Sequence, residues 1–298
     1  EALVEIYAAA LNPADRFQID GRYPGGPRFP FTCGRDAAGV VVESDAAGRV
    51  AVGARVLVLQ SRARDLARGT LCERQWLPAD ALVPVPPGWS FHEAAAAPLV
   101  FQTAWQGLTD RGLPTRDQAV VVTGAGGGVG IAAVQLALGL GTQVVALTRS
   151  ADKAARLRGL GVRHVFSPTD ANLQQCVCDA LGRKGVDVVV DTVGGPLLAT
   201  AVHLLGSGGR VAVIGVLRGV EGVIPIPSLM FKRALIQGIL VSDLSPSAAM
   251  AQWEDIVRIL SESGQRPVID RVYPLENYQQ AFDRLASSPF GKVVMEIQ

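Results

Sequence analysis

Cysteine and histidine are scarce in this chain, four and three among 298 residues, and neither type clusters. Cys33, Cys72, Cys176 and Cys178 form no C-x-x-C pair, and the last two, two apart on an expected helix, point to different faces. That spacing speaks against a disulfide framework and against a structural zinc site. His92, His164 and His203 stand alone and read as ordinary surface or core histidines. An excess of one charge is missing too. Lys and Arg number 28 against 27 Asp and Glu, and no basic stripe or like-charge run occurs, so nucleic acid and anionic membrane are poor partners. No apolar run reaches membrane-spanning length, because the stretches around Val120 and Val188 are broken by Gly and Asp, and no basic-then-apolar signal segment is present. A cytoplasmic protein is expected. An initiator Met is absent while Glu1-Ala-Leu-Val-Glu-Ile-Tyr7 already alternates like a strand, so the chain is expected to be trimmed or cut from a longer one.

What is present is apolar mass and glycine. With 49% hydrophobic and 18% charged residues, 298 residues can bury large cores and suffice for about two domains. The most informative stretch is Ala119-Val-Val-Val-Thr-Gly-Ala-Gly-Gly-Gly-Val-Gly130, followed by Ile131-Ala-Ala-Val-Gln-Leu. A buried strand, a tight glycine turn and a helix start in that order let backbone N–H groups and a helix N-terminus hold a dinucleotide pyrophosphate. A nicotinamide or flavin nucleotide is the expected ligand. The match to G-x-G-x-x-G is imperfect: Ala125 stands in the first glycine place, before Gly127 and Gly130, and Gly124 is left to relieve the turn. Within it, Gly128 and Val129 complete the loop.

From about Val120 onward, apolar runs alternate with helical patterns: strands at 119–123, 143–148, 163–166, 186–191, 210–214 and 235–240, helices at 129–139, 151–160, 171–181 and 196–205. Continuous apolar strands such as Val186-Asp-Val-Val-Val-Asp191 imply a parallel sheet covered on both faces, a doubly wound α/β domain. Gly161, Gly182 and Gly206 follow helical runs, where left-handed caps are expected. Residues 1–97 differ, with short alternating runs (Val4 to Ala8, Ala38 to Glu43, Arg55 to Leu59) between Pro- and Gly-rich turns, the pattern of an antiparallel barrel or sandwich. After the nucleotide domain come an amphipathic helix at 248–262 and strands at 268–273 and 292–297, which return most simply to the first domain. The expected division is 1–97 with 268–298, and 98–267.

The cofactor type is read at the end of the second strand of the nucleotide domain. NAD-selective enzymes place Asp or Glu there for the ribose 2′-hydroxyl, whereas here the strand ends in Thr148-Arg149-Ser150, followed by Lys153. An Arg fork, a hydroxyl and a Lys suit a 2′-phosphate by charge and by geometry, so NADPH is expected.

A β-rich front domain, a Rossmann domain and a returning C-terminal strand together resemble the medium-chain dehydrogenase/reductase superfamily, and the residues narrow the resemblance. Leu11-Asn12-Pro13-Ala14-Asp15, Gly21-Arg22-Tyr23-Pro24, Cys33-Gly34-Arg35-Asp36-Ala37-Ala38-Gly39, Ala97-Pro98-Leu99 with Thr103-Ala104-Trp105, the glycine turn, and Phe290-Gly291-Lys292-Val293-Val294 are similar to the zinc-free quinone oxidoreductase branch, which includes enoyl-thioester reductases. The resemblance implies a GroES-like β-barrel domain beside the Rossmann domain, and a zinc-independent enzyme. Zinc-dependent relatives carry a Cys ligand where this chain has Asn12-Pro13, Gly-His-Glu in place of Gly34-Arg35-Asp36, and a four-cysteine lobe near 61–75, where only Cys72 occurs. Something other than a metal must then stabilise a developing oxyanion.

By the same resemblance, cofactor contacts are expected from Thr103, the glycine turn, Arg149, Ser150, Lys153, Thr192-Val193-Gly194, Ile214-Gly215-Val216 and Lys292. The leading reaction is hydride transfer from NADPH to a quinone or to the β carbon of an activated C=C bond (enone, enal or enoyl thioester). Tyr23 is the candidate proton donor, because it occupies the place of the catalytic tyrosine of enoyl-thioester reductases and a phenol stays protonated at neutral pH. Asn12 is the second candidate, as a polar group reaching the nicotinamide or the substrate carbonyl; Asp15 and Asp36 are expected to fix loops through backbone N–H groups. The expected partners are a small-molecule substrate and a second copy of the chain, as a homodimer. Alternatives are an NADPH-binding interaction module without turnover and an alcohol dehydrogenase-like carbonyl reductase.

Overall fold

A computed structural model describes residues 1–44, 47–59, 68–241 and 244–298 of the chain. In chain order the elements are β1 (Ala2–Ala10), α1 (Pro13–Ile19), β2 (Asp36–Glu43), β3 (Arg55–Val58), β4 (Arg74–Leu77), β5 (Leu82–Pro84), α2 (Phe91–Ala96) and α3 (Pro98–Thr109). They continue with β6 (Ala119–Val122), α4 (Gly128–Gly139), β7 (Gln143–Leu147), α5 (Ala151–Gly159), β8 (His164–Phe166), α6 (Leu173–Leu181), β9 (Val186–Asp191), α7 (Leu197–Leu204) and β10 (Leu205–Val213). Last come α8 (Ile226–Phe231), β11 (Leu235–Gly238), α9 (Pro246–Glu262), β12 (Ile269–Pro274), α10 (Tyr278–Ala286) and β13 (Lys292–Glu296).

These pack into two units, Glu1–Gln102 with Val241–Val257 and Arg266–Gln298, and Thr103–Leu240 with Arg258–Gln265. The sequence division at 98 and 267 differs from this: 98–102 and 241–257 group with the first unit. Trp253 explains the second segment, being buried and meeting Trp89 edge-on at 6.3 Å between ring centroids, and Gln102 donates to the Ala249 carbonyl at 3.4 Å.

In the first unit β1 alternates buried and half-buried residues along Ala2 to Tyr7, as a strand with one face on a core must. It pairs antiparallel with β2, β13 and β4 in a sheet of order β12-β13-β1-β2-β3-β5. Ile6, Val4, Val41, Val56, Val58 and Leu77 form its main core. One pair departs from the expected antiparallel pattern. Strands β12 and β13 run parallel, because α10 carries the chain back between them.

The second unit is the doubly wound domain. Its sheet has the order β11-β10-β9-β6-β7-β8, every pair parallel, and β6 and β9 are buried nearly throughout. The chain leaves β6 toward β7 and β8 and then returns to β9 on the other side, so the topological switch point lies between β6 and β9, where open α/β sheets bind ligands. Gly182 caps α6 with φ +63°, as expected, and Gly161 has φ +98° just past α5. Gly206 is no cap: α7 passes directly into β10 through an extended Leu205, and the glycines at 206, 208 and 209 fall where the β9–β10 register shifts.

Candidate functional site

Strand β6 delivers the chain into a turn whose geometry dictates its glycines. Gly124 has φ +55°, so the left-handed position lies one residue ahead of Ala125, which is fully buried and donates its N–H to the Leu147 carbonyl at 3.2 Å. Gly127 is the helix cap, in extended conformation and bonded back to the Gly124 carbonyl at 2.9 Å. A Cβ on Gly130 would lie 2.3 Å from the Gly124 carbonyl oxygen, so this position closes the helix onto the turn. A glycine cap offers no side-chain acceptor, and the first-turn amides of Gly128, Val129 and Gly130 have no intrahelical partner. Amide donors at a helix end with no Cβ in front of them fit the phosphates of a dinucleotide.

Two further loops close on that turn. Asp191, the last residue of β9, is fully buried; its Oδ1 accepts from Thr123 Oγ1 at 2.6 Å, Val193 N at 3.1 Å and Gly194 N at 3.2 Å. Thr192 donates its hydroxyl to the Thr123 carbonyl at 2.8 Å. A Cβ on Gly124 would come 2.5 Å from Thr192 Oγ1, one on Gly194 would come 2.4 Å from the Gly215 carbonyl, and one on Gly215 would come 2.0 Å from the Thr192 carbonyl. The structure therefore brings the expected contacts at 125–130, 193–194 and 215–216 together around the switch point. Val216 is half exposed there, and Thr103, buried on α3, belongs to the same unit.

At the end of β7 the chain turns into α5. Ser150 is its cap, accepting from the Lys153 amide at 3.2 Å through Oγ, which leaves the hydroxyl proton to donate elsewhere. Arg149 is exposed beside it and Lys153 half-buried. Because Ala125 N bonds Leu147 O, this corner adjoins the glycine turn.

The first unit holds a buried ionic cluster. Asn12 lies between β1 and α1 as the cap residue of α1, with its backbone N–H on Asp15 Oδ2 at 2.7 Å. Its side chain is engaged at both ends: Nδ2 donates to Asp36 Oδ2 at 2.9 Å and to the Ala10 carbonyl at 3.3 Å, and Oδ1 accepts from Lys292 Nζ at 2.6 Å. Lys292 also donates to Asp36 Oδ2 at 3.2 Å, and Asp36 Oδ1 takes the backbone N–H of Leu99 in the first turn of α3 at 3.0 Å. All four side chains, Asn12, Asp15, Asp36 and Lys292, are buried. Asp36 fixes the chain through a backbone N–H, as expected of it, and in addition neutralises a lysine.

Burial pushes the Asp15 carboxyl up to about 6, against the Asn12 amide and the charges of Lys292 and Arg35, which pull it down, while Asp36 adds to the rise. A carboxyl raised in the folded state binds more protons than its unfolded counterpart between about pH 4 and 6, so its contribution to stability is full below that window and is lost as pH rises through it. About two pH units correspond to about 3 kcal/mol. Asp15→Asn keeps an acceptor for Asn12 N–H and removes the titration. The unfolding free energy of wild type relative to this variant should fall by about that amount from about pH 4 to 7 in urea melts; parallel curves would refute it. Cys33, bonded to the Asp15 carbonyl at 3.8 Å, is pushed up to about 12 by burial and by the Asp15 charge, so it supplies no thiolate nucleophile.

Tyr23 follows α1, its N–H on the Phe17 carbonyl at 3.0 Å and its ring half-buried beneath the guanidinium of Arg35, 4.6 Å from the ring centroid. Its hydroxyl makes no hydrogen bond among the described residues. Sequence reasoning passed over Arg35 in this role, and over Thr123 and Asp191, although a carboxylate ending the apolar run 186–191 was a visible signal. Nothing in the sequence marks Arg35 as a partner of Tyr23.

Comparison with known proteins finds two matching families along the chain. The alcohol dehydrogenase GroES-like domain family matches residues 1–87, and the zinc-binding dehydrogenase family matches residues 128–262. A quinone oxidoreductase of Lama guanicoe is 30% identical over 303 residues, covering 99% of this chain and 88% of that protein. Among solved structures, an NAD-dependent alcohol dehydrogenase superposes with a TM-score of 0.88 at 30% identity, covering 100% of this chain and 92% of its own. The yhdH oxidoreductase of Salmonella enterica, in complex with NADP, gives 0.82 at 26% identity, covering 100% and 91%. Among the described residues no group of three or more His, Cys, Asp or Glu side chains could hold a metal ion; positions 61–67, part of the stretch where zinc-dependent relatives carry their lobe, lie outside them.

Proposed function

Because the chain belongs to the medium-chain dehydrogenase/reductase superfamily, in its quinone oxidoreductase-like branch, we propose that it is an NADPH-dependent oxidoreductase that reduces a quinone or an activated C=C bond without zinc. The observation that carries the reading is the open N-terminus of α4, with amide donors at 128–130, a left-handed glycine at 124 and a glycine at 130 whose Cβ would lie 2.3 Å from the Gly124 carbonyl oxygen. NADPH, when bound, supplies the hydride. The relative solved with NADP supports the cofactor, as do the residues after β7, where no acid stands and Arg149, Ser150 and Lys153 suit a 2′-phosphate. Another structural relative carries the name NAD-dependent; the absent carboxylate argues against that choice here. Arg149→Ala should weaken NADPH binding by about 10-fold, the worth of one charge-assisted bond, and leave NADH binding unchanged. Fluorescence titration of both nucleotides checks it, and equal losses for the two would remove Arg149 from the phosphate site.

The chain's own residues must orient the acceptor, meet the negative charge that hydride addition creates on its oxygen, and return a proton. Tyr23 has the chemistry to return that proton, with a hydroxyl that has no hydrogen-bond partner among the described residues, on a ring held by Arg35. The function is tested by NADPH consumption with quinones, enones and an enoyl thioester, set against NADP⁺ with simple saturated alcohols. Turnover is expected with the first set alone. Tyr23→Phe should slow enone reduction about 100-fold and spare quinone reduction, where solvent protons suffice. No turnover with any acceptor would favour a nucleotide-binding module instead.

A further inference from the structure

We infer that Lys292 is a catalytic contact of the acceptor: its ammonium, held by Asn12 and Asp36, presents its remaining N–H to the substrate oxygen that becomes negative as hydride is added. The inference deepens the proposed function and rests on it.

It follows from counting protons and lone pairs. The ammonium has three N–H groups; one goes to Asn12 Oδ1 at 2.6 Å and one to Asp36 Oδ2 at 3.2 Å, and the third has no acceptor among the described residues. Asn12 has no amide proton left for a substrate carbonyl, because both are engaged, on Asp36 and on the Ala10 carbonyl. Asp36 is occupied at both oxygens, by Leu99 N on one and by Asn12 and Lys292 on the other. Of the three side chains, Lys292 alone has donor capacity left.

Burial makes the arrangement informative. The lysine side chain is 5% exposed and Asp36 is fully buried, and a buried ion pair contributes little net stability compared with apolar residues of the same volume. A buried donor without an acceptor is disfavoured, so an acceptor is expected from outside the chain. The two holders come from just past β1 and from the start of β2, strands of the sheet that also carries Lys292 at the start of β13, and Asp36 is further tied to α3, so the ammonium is fixed before the substrate arrives. With the nucleotide bound, hydride addition at the β carbon of an enone would move the C=C pair into the bond between the α carbon and the carbonyl carbon and the C=O pair onto the oxygen, with NADP⁺ as the oxidised product. Lys292 keeps its proton and stabilises that oxyanion; the proton that completes the product comes from Tyr23 or solvent.

The test uses Lys292→Met and Lys292→Arg in the full chain, with whichever enone or quinone the wild type reduces. Lys292→Met should lower kcat about 100-fold, the range for loss of one oxyanion donor, with NADPH affinity within about threefold of wild type, and Lys292→Arg should recover at least a tenth of the rate. With NADP⁺ bound, acetylacetonate, an enolate-like anion, should inhibit Lys292→Met at least about 10-fold more weakly than wild type, while a neutral ketone inhibits both alike. Should Lys292→Met fail to fold, the double variant Asp36→Asn, Lys292→Met, which leaves no charge unpaired, takes its place. A Lys292→Met enzyme with wild-type kcat, or one whose whole loss lies in NADPH affinity, overturns the inference and leaves the function standing. A wild type that consumes no NADPH with any acceptor overturns both.

Discussion

Gly130→Ala should lose both stability and NADPH affinity, whereas Gly127→Ala should lose affinity alone. The two glycines sit three residues apart in one motif, yet they meet different constraints. A methyl at 130 would lie 2.3 Å from the Gly124 carbonyl oxygen and 2.8 Å from the Ala125 Cα, both backbone atoms that cannot turn aside, so α4 has to shift off the turn. That shift misaligns the amides of Gly128, Val129 and Gly130 together. Losing two or three hydrogen bonds to a charged phosphate removes about 3 kcal/mol or more, which is at least about 100-fold in Kd. A methyl at 127 would meet only the Gly124 carbonyl at 3.4 Å, an ordinary contact, so the fold tolerates it; what it obstructs is the approach of a pyrophosphate to the backbone. Thermal melts and nucleotide titrations of both variants separate a phosphate cradle from a mere strand-to-helix turn. Unchanged NADPH affinity in Gly127→Ala would mean that the pyrophosphate does not lie against this loop.

The nucleotide cradle was legible in the sequence because its parts lie close together along the chain and each element in it has a strong local signature. Strand β6 is a short unbroken apolar run and β9 a valine run interrupted by Asp187 and ended by Asp191, the glycine turn joins strand to helix directly, and Gly182 ends α6 where a left-handed residue is needed. Gly206 looked like the same signal and was not, because the chain enters β10 at once and the glycine lies within the strand. Helix α1 left no trace in the apolar pattern: its seven residues bury Asp15 and Gln18, so polar groups occupy the inward face where periodicity would require apolar ones. Least legible was the ionic cluster. Asn12 and Lys292 are 280 residues apart, and Asp36 and Lys292 are 256 apart, so no local pattern joins them. The sequence nominated Asn12 and Lys292 through resemblance, but the exchange of roles between them needs the hydrogen-bond count that only the folded chain supplies.

Asp36→Ala should be among the most destabilising single changes in the first unit, by about 3–5 kcal/mol, because it leaves a buried lysine without its counter-ion. The carboxylate is fully buried and serves three donors, Leu99 N at 3.0 Å, Asn12 Nδ2 at 2.9 Å and Lys292 Nζ at 3.2 Å. Removing it orphans a cation and two neutral donors together, each carrying a desolvation penalty that the folded state no longer offsets. Asp36→Asn should do less harm, since its Oδ1 can still accept from Leu99, although the lysine then faces a neutral group. The double variant Asp36→Leu, Lys292→Met should recover much of the loss, because an apolar pair needs no solvation, and the recovery would appear as a coupling free energy in a urea-unfolding cycle. Such a protein should fold well and reduce its acceptor poorly. A fold that is no worse for losing both charges, beside a reaction that is, would mean that the pair is kept for the chemistry. An Asp36→Ala variant within about 1 kcal/mol of wild type, the range of an exposed pair, would mean instead that water reaches Lys292 and that the cluster is a solvated surface feature.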